Sequence, residues 1–287
     1  MKIALVQQDC VLGDPATNLE RAEAAVREAA ACGADLIVFP ELFLTGYALD
    51  QAGPDAVAGV AMPADDDRIA RVAVAAGPAG AVVLGFAERD AGGRCYNSAA
   101  YCAHGRVLYT HRKICLVDYH IFAEPQLFQA GSSMRAFDTP FGRMGILICN
   151  DAWQPGLAVV AVHDGAEILL IPANSADSAF SELMDLRSTW RDITRFYASL
   201  LQCHVVFVNR VGTEPGMRFW GGSHVVDPAG RIVTEAPVHE AAITYACIDA
   251  EQARQRRNAI PLLSQLPLSV INDELTRLGR PSTHRTQ

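Results

Sequence analysis

Apolar residues in the first part of the chain follow two different spacings. The run KIALVQQ (2–8) has the pattern of a buried strand. The segment TNLERAEAAVREAAACG (17–33) places apolar residues at helical spacing, with a capping box of Thr17 and Glu20 predicted at its start and Gly33 as its stop signal. The apolar run ADLIVFPE (34–41) follows as a second strand. A strand, helix, strand unit predicts a parallel pair of strands.

The rest of the chain predicts further parallel units that alternate with hairpins. Turn signals at 91–94 and 104–106 separate three consecutive strands, and a turn around Asp227 and Gly230 forms a later hairpin. The predicted helices are 65–76, 154–166, 181–203 and a short one at 251–257, and the predicted strands are 80–90, 95–103, 106–113, 142–149, 167–172, 204–212 and 242–250. The segment 114–140 has little periodicity, and loops of that length inside a domain are usually functional.

These elements predict one α/β domain over residues 1–260, with an irregular C-terminal tail at 261–287. Half of the 287 residues are hydrophobic, enough for an extensive core. Strands this apolar must be covered on both faces.

Charge and cysteine usage exclude several classes of function. The net charge of −8 and the pI near 5.5 argue against a nucleic-acid or anionic-membrane partner, since either requires a basic surface. The sequence has no run of about 18 apolar residues, and its start is too polar for a signal peptide, so we expect a cytoplasmic protein. The eight cysteines include no CxxC pair and are expected to be reduced thiols. Without HExxH or a glycine-rich phosphate loop, we expect neither a metal nor a nucleotide cofactor.

Three polar residues stand where predicted buried strands reach loops: Glu41, Lys113 and Cys149. Each alone has an ordinary explanation, because a cysteine can simply pack, a glutamate after proline can cap a helix, and a lysine between strands is usually solvated. Open α/β sheets bind ligands at such strand ends, so together the three predict a site.

The chemistry of these three groups fits a nucleophilic thiol. A thiol with a pKa of about 8.5 is mostly protonated at neutral pH. A nearby ammonium favours the thiolate, and a carboxylate can accept the proton. Lys113 and the backbone amide of Asn150 could then hold the oxyanion formed when Cys149 attacks a carbonyl.

The stretches around these residues resemble the carbon-nitrogen hydrolase family, often called the nitrilase superfamily. The resemblance covers about residues 2–250 and rests on FPELFLTGY (39–47), HRK with FAEPQLF (122–128), ILICNDAW (146–153), NRVG (209–212) and GGSHVVDPAGRIV (221–233). It implies a four-layer αββα sandwich without a metal, a Glu-Lys-Cys triad of Glu41, Lys113 and Cys149, and a second glutamate at Glu124. It also implies hydrolysis through a thioester and pairing into a homodimer or higher homo-oligomer.

Two other groups of residues suggest rival sites. Cys115 lies two residues after Lys113, at a position where the family often has histidine, and is a competing thiol that we interpret as structural. Ser223, His224 and Asp227 could suggest a serine triad. However, alternation along a strand sends Ser223 and His224 to opposite faces, and no G-x-S-x-G elbow surrounds the serine.

The expected reaction is hydrolysis of a small amide or carbamoyl compound to an acid and ammonia. Nitrile hydrolysis is an alternative, weakened because Asn150 follows the cysteine where nitrilases of the family typically have tryptophan. A non-catalytic binding protein is a second alternative, and the intact triad argues against it. Five residues near the predicted strand ends are candidates for substrate binding, although packing explains some of them equally well: Tyr119, Asn150, Trp153, Asn174 and Ser175.

Overall fold

The computed structural model describes residues 1–49, 56–177 and 184–279. Its strands are β1 (Lys2–Gln7), β2 (Leu36–Val38), β3 (Ala81–Arg89), β4 (Cys95–Ala103), β5 (Arg106–Arg112), β6 (Phe137–Thr139), β7 (Gly142–Ile146), β8 (Ile168–Ala173), β9 (His204–Asn209), β10 (Val211–Glu214), β11 (Met217–Trp220), β12 (His224–Val226), β13 (Ile232–Glu235) and β14 (Ala242–Cys247). Its helices are α1 (Pro15–Ala31), α2 (Ala56–Val60), α3 (Asp67–Val74), α4 (Glu124–Leu127), α5 (Pro155–His163), α6 (Leu186–Leu200), α7 (Ala250–Ala259) and α8 (Leu268–Gly279).

Two six-stranded sheets form the centre of the molecule. The first sheet has the order β14-β1-β2-β3-β4-β5, and the second has the order β13-β12-β9-β8-β7-β6. The predicted parallel pairing of β1 with β2 is confirmed, with Ile3 opposite Leu36. Parallel pairs also join β7 to β8 and β8 to β9. Strand ends that carry polar residues therefore occur in both sheets.

Alternation along the strands builds three hydrophobic layers. Leu5 and Ile146 belong to the core between the two sheets. Val6, one position along β1, instead packs with residues of α1 and α3, and Leu147 packs with residues of α5 and α6. The order of layers is thus helices, sheet, sheet, helices, and the predicted αββα sandwich is confirmed.

The start of α1 differs from the predicted capping box. The helix begins at Pro15, and the carboxylate of Asp14 accepts a hydrogen bond from the backbone N–H of Thr17 at 3.1 Å. The hydroxyl of Thr17 itself donates to Asp14 at 2.7 Å, so it is not the cap. Proline is well suited to the first helical turn, and aspartate is as good a cap as threonine or better.

The tail also differs from its prediction, because α8 occupies part of it. Its apolar positions Leu268, Ile271, Leu275 and Leu278 recur at helical spacing, and all four are exposed. The predicted helix 181–203 begins at Leu186, while residues 181–183 lie outside the described part of the chain.

The segment 114–140 contains α4 and β6, and β10 and β11 pair as a hairpin that the pattern did not predict. Within the described ranges, no helix combines the length and apolar content needed to cross a membrane.

Candidate active site

A buried lysine joins two buried carboxylates where the strands end. Lys113 directly follows β5, and Glu41 follows β2 by three residues. The Nζ atom of Lys113 donates to Glu41 Oε1 at 2.7 Å and to Glu124 Oε1 at 2.7 Å. All three side chains are at most 3% exposed. Burial alone lowers the pKa of Lys113, but the charges of Glu124 and Glu41 outweigh it and raise this pKa well above its ordinary value, so the ammonium stays charged.

Two asparagines fix the orientation of the Glu41 carboxylate. Asn97 Nδ2 donates to Oε1 at 2.7 Å, and the backbone N–H of Asn174 donates to Oε2 at 2.9 Å. The side chain of Asn174 also donates to the backbone carbonyl of Glu41 at 2.8 Å. Asn174 therefore links the end of β8 in the second sheet to the turn after β2 in the first.

Tyr47 holds the second glutamate. Its phenol donates to Glu124 Oε1 at 2.5 Å, while the backbone N–H of Val117 donates to Glu124 Oε2 at 3.0 Å. Burial raises the pKa of Glu124, partly offset by Lys113, and burial with the nearby carboxylates raises the pKa of Tyr47 well above its usual range. The sequence reasoning missed Tyr47 as a site residue, although it closes the stretch FPELFLTGY.

Cys149 does not end a strand, as its sequence context predicted. The strand β7 ends at Ile146, and Cys149 begins a short 3₁₀ turn, Cys149–Trp153. Its backbone lies in the left-handed region, with φ of 46°. Such a conformation costs a non-glycine residue about 1–3 kcal/mol and is concentrated at functional sites. The turn directs the thiol into a cavity at the rim of the sheets.

The pKa of Cys149 is shifted in the direction opposite to the one that the predicted thiolate requires. Burial and the charges of Glu41 and Glu124 raise this pKa well above its ordinary value, and Lys113 lowers it only in part. One ammonium cannot outweigh two carboxylates and the loss of solvent. This environment therefore favours the protonated thiol over the thiolate.

Asp151 is a second residue that the sequence reasoning missed. Its Oδ1 accepts from the backbone N–H groups of Ile114 at 3.0 Å and Cys115 at 2.8 Å. Its Oδ2 accepts from the N–H of Ile148 at 3.1 Å and lies 3.0 Å from His111 Nε2. One buried carboxylate thus ties the loop after the lysine to the turn of the cysteine. Its position two residues after that cysteine gave no signal of this role, because the partners are distant in sequence.

The cavity that Cys149 enters has a volume of about 340 Å³. This lies within the usual range for small-molecule sites of about 300–1,000 Å³. All five predicted substrate-binding residues border it, namely Tyr119, Asn150, Trp153, Asn174 and Ser175. The remaining described wall consists of Tyr47, Val117, His120, Phe122, Ala176, Met184, Leu186 and Trp190.

Both rival groups have structural partners. The backbone of Cys115 is held by Asp151, and Cys115 is not part of the cavity wall described above. Ser223 Oγ donates to the carbonyl of Asn209 at 3.1 Å. His224 uses one ring nitrogen with Thr194 and the other with the Gly222 carbonyl, both at 2.8 Å. A serine triad would need that imidazole for the serine, so the rejection of this reading agrees with the structure.

Comparisons with known proteins identify the family of this chain. The family model described as carbon-nitrogen hydrolase matches residues 2–258. The N-carbamoylputrescine amidase of Arabidopsis thaliana is 33% identical over 257 residues, which cover 86% of each chain. The nitrilase of Pyrococcus abyssi is 29% identical over 90% of this chain and 93% of its own.

A solved relative preserves the architecture as well. It is a mutant amidase of Nesterenkonia sp. AN1, in which acrylamide has added to the active site cysteine. It is 25% identical, with a TM-score of 0.74 over 91% of this chain and 98% of that one. Together with the family match along nearly the whole sequence, these relatives show that the chain belongs to the carbon-nitrogen hydrolase family.

Proposed function

We propose that this protein hydrolyses a small amide or carbamoyl compound to an acid and ammonia through a thioester on Cys149. The observation that carries the proposal is the contact of Lys113 Nζ with Glu41 and Glu124, 2.7 Å from each. Both carboxylates are hydrogen-bonded to residues of the cavity wall that also contains Cys149: Glu41 to Asn174, and Glu124 to Tyr47. A buried base, a buried cation and a thiol beside a substrate-sized cavity are the components of nucleophilic acyl transfer.

In the first half-reaction, Cys149 Sγ forms a bond to the carbonyl carbon while its proton passes to the Glu41 carboxylate. The electron pair of the carbonyl moves to oxygen, and the resulting oxyanion lies near Lys113 and the backbone N–H of Asn150. When the intermediate collapses, the C–N bond breaks and Glu41 returns its proton to nitrogen. Ammonia leaves, and an acyl thioester remains.

The second half-reaction uses the same groups with water. Glu41 accepts a proton from the water that attacks the thioester carbon. The C–S bond then breaks, and the proton returns from Glu41 to sulfur. The carboxylic acid is released, so Glu41 acts once as base and once as acid in each half-reaction.

The ammonium of Lys113 has donors for both positioning and catalysis. An ammonium carries three N–H groups, and Lys113 directs two of them to Glu41 and Glu124. We assign the third to the oxyanion. In this scheme Glu124 is a positioning residue, since it holds the lysine without touching the reacting carbon.

The amide or carbamoyl assignment draws support from the N-carbamoylputrescine amidase and the Nesterenkonia amidase. A nitrile substrate is the second candidate, favoured by the similarity to the Pyrococcus nitrilase. It would proceed through a thioimidate on the same sulfur.

Ammonia release from short amides, carbamoyl compounds and nitriles tests the proposal. Cys149→Ala should abolish release without changing the far-UV circular dichroism spectrum, and Cys115→Ala should retain it. Acid quenching during turnover should reveal an acyl adduct on the peptide containing Cys149 by mass spectrometry. Equal loss of turnover in both variants, or no ammonia from any compound, would refute the assignment.

We also propose that the protein forms a homo-oligomer through the outer surface of α6. The inward side of this helix packs in the core through Trp190 and Tyr197, whereas Phe196 and Leu200 remain 51% and 46% exposed. Exposed apolar side chains close together mark association surfaces. Light scattering should show a dimer or larger species that Phe196→Glu dissociates, and a monomeric wild-type protein would contradict the proposal.

A further inference from the structure

Aromatic side chains form much of the wall around the cavity of Cys149. Tyr47, Tyr119, Phe122, Trp153 and Trp190 all border it, and they come from four segments of the chain. The rings meet mainly at their edges: Tyr47 and Phe122 lie 5.8 Å apart at 87°, and Trp153 and Trp190 lie 5.5 Å apart at 85°. Edge-to-face contacts of this kind are favourable between aromatic groups and leave other faces available to a further ring.

One hydroxyl holds this wall in place. Ser175 Oγ accepts hydrogen bonds from the indole N–H groups of Trp190 and Trp220, both at 3.0 Å. Phe207 packs behind Trp190 with ring centroids 4.6 Å apart. Trp190 is thus fixed both by a hydrogen bond and by packing. A rigid wall loses little freedom when a substrate binds against it.

Two amide side chains border the cavity together with the thiol. Asn150 and Asn174 flank Cys149, and Asn174 donates to Glu41. Within the lining assigned to the described residues, His120 is the only side chain that can carry a positive charge, and none is a carboxylate. The lining formed by the described residues is therefore dominated by aromatic and amide groups.

The cavity has room for a small amide that contains one ring. A volume of about 340 Å³ corresponds to roughly eleven water molecules at about 30 Å³ each. A compound with on the order of ten non-hydrogen atoms therefore fits, which is the size of a single aromatic ring joined to a carboxamide by a short chain.

We propose that the physiological substrate is a primary amide whose acyl group carries an aromatic ring that packs against Trp153, which Trp190 supports by an edge contact. This substrate class rests on the proposed amide hydrolysis at Cys149. The proposed substrate differs from the one in the name of the N-carbamoylputrescine amidase of Arabidopsis thaliana.

Steady-state kinetics on five matched compounds tests the substrate class. Phenylacetamide should exceed acetamide in kcat/KM by at least about 100-fold, since each buried CH₂-sized group contributes roughly fourfold. It should exceed cyclohexylacetamide, of equal size but without π electrons, by roughly two- to thirteenfold. The monoamide of glutaric acid and N-carbamoylputrescine, which carry opposite charges and no ring, should both fall at least about tenfold below phenylacetamide, because they bury less apolar surface against the aromatic wall.

Two variants test whether the preference for an aromatic substrate arises in the cavity. Trp153→Ala should reduce the ratio of kcat/KM for phenylacetamide over acetamide by about tenfold or more. Tyr245→Ala removes a partly buried aromatic ring on β14, in the first sheet, and should leave this ratio unchanged. If acetamide or either charged amide matches phenylacetamide, or if both variants change the ratio equally, the proposal is overturned.

Ligand binding to a variant without turnover tests the aromatic preference independently of the proposed hydrolysis. Because Trp153 and Trp190 border the cavity, ligands that pack there should alter tryptophan fluorescence. In Cys149→Ala, phenylacetamide should bind at least about tenfold tighter than acetamide and the two charged amides. If the wild-type protein releases no ammonia but this order of binding holds, the hydrolysis fails and the cavity preference stands. If ammonia is released without this order of binding, the hydrolysis stands and the aromatic preference fails.

Discussion

Replacing Ser175 by alanine removes one oxygen that satisfies two buried donors. Trp190 and Trp220 are each 1% exposed, and both indole N–H groups donate to Ser175 Oγ at 3.0 Å. Alanine keeps the backbone contacts of this position with Asn209, because those use the N–H and carbonyl of residue 175. Each buried donor left without a partner costs about 1–3 kcal/mol. Ser175→Ala should therefore lower the free energy of unfolding by about 2–6 kcal/mol.

Urea unfolding measures this loss through a lower midpoint with an unchanged slope. A double-mutant cycle isolates its cause, because Trp220→Phe removes one of the two donors. Trp220→Phe should be less destabilising in the Ser175→Ala background than in the wild-type protein, by about 1–3 kcal/mol. Ser264→Ala is the control: this exposed hydroxyl donates only to the carbonyl of Pro261, and such surface changes usually alter stability by less than about 0.5 kcal/mol.

Two results would refute this reasoning. The first is a loss below about 1 kcal/mol for Ser175→Ala, which would mean that the indole donors find other partners. The second is an equal effect of Trp220→Phe in both backgrounds, which would show that the hydroxyl and the indole are not coupled.

Three further predictions concern the buried polar groups. Tyr47→Phe removes the O–H that donates to Glu124. The free energy of unfolding in urea should fall by about 1.5–3 kcal/mol, because the acceptor is charged. An unchanged free energy of unfolding would show that the phenol does not stabilise this carboxylate. Glu41→Gln should lower kcat by about 100- to 10,000-fold, because glutamine cannot accept the thiol proton; an unchanged kcat would exclude Glu41 as the base. Burial lowers the pKa of His224 in the folded protein. Stability is therefore retained above the unfolded pKa of about 6.5, and it is lost as the pH falls below that value, because the unfolded chain then binds the proton more tightly. The decrease in Tm between about pH 7.5 and 5.5 should be smaller in His224→Gln than in the wild-type protein, and an equal decrease in both would contradict this.

Periodicity predicted the architecture because the same spacing decides which face is buried. In β1, Leu5 faces the other sheet and Val6 faces the helices, so the run had to be apolar on both sides. No such periodicity in the sequence marked the turn at Cys149. The apolar residues continue through Ile148, and nothing in their identity marks a left-handed backbone at the next position.

Contacts between distant segments explain the rest of what the sequence did not reveal. Asp151 serves residues on both sides of the site, and Tyr47 reaches Glu124 from 77 positions away. Neither pairing follows from spacing along the chain: Asp151, after β7, bridges the two sheets, and Tyr47 and Glu124 meet because the segments after β2 and β5 converge at one end of the first sheet. The predicted start of α1 was wrong for a different reason. Asp14 and Thr17 are both good caps, and the choice between them depends on Pro15.

The charges at the site explain why Cys149 needs a base and not only a cation. Lys113 contributes one positive charge, while Glu41 and Glu124 contribute two negative ones, so a thiolate would bring the four groups to a net charge of −2. That charge would be enclosed by protein, where repulsion between like charges is strong. Transfer of the thiol proton to Glu41 avoids this cost, because it moves one negative charge from oxygen to sulfur without adding another. The attack on the carbonyl then moves the charge onward to an oxygen beside Lys113. Under this proposal, the two carboxylates that raise the pKa of Cys149 keep the resting thiol neutral, and it is activated only as the acyl group is attacked.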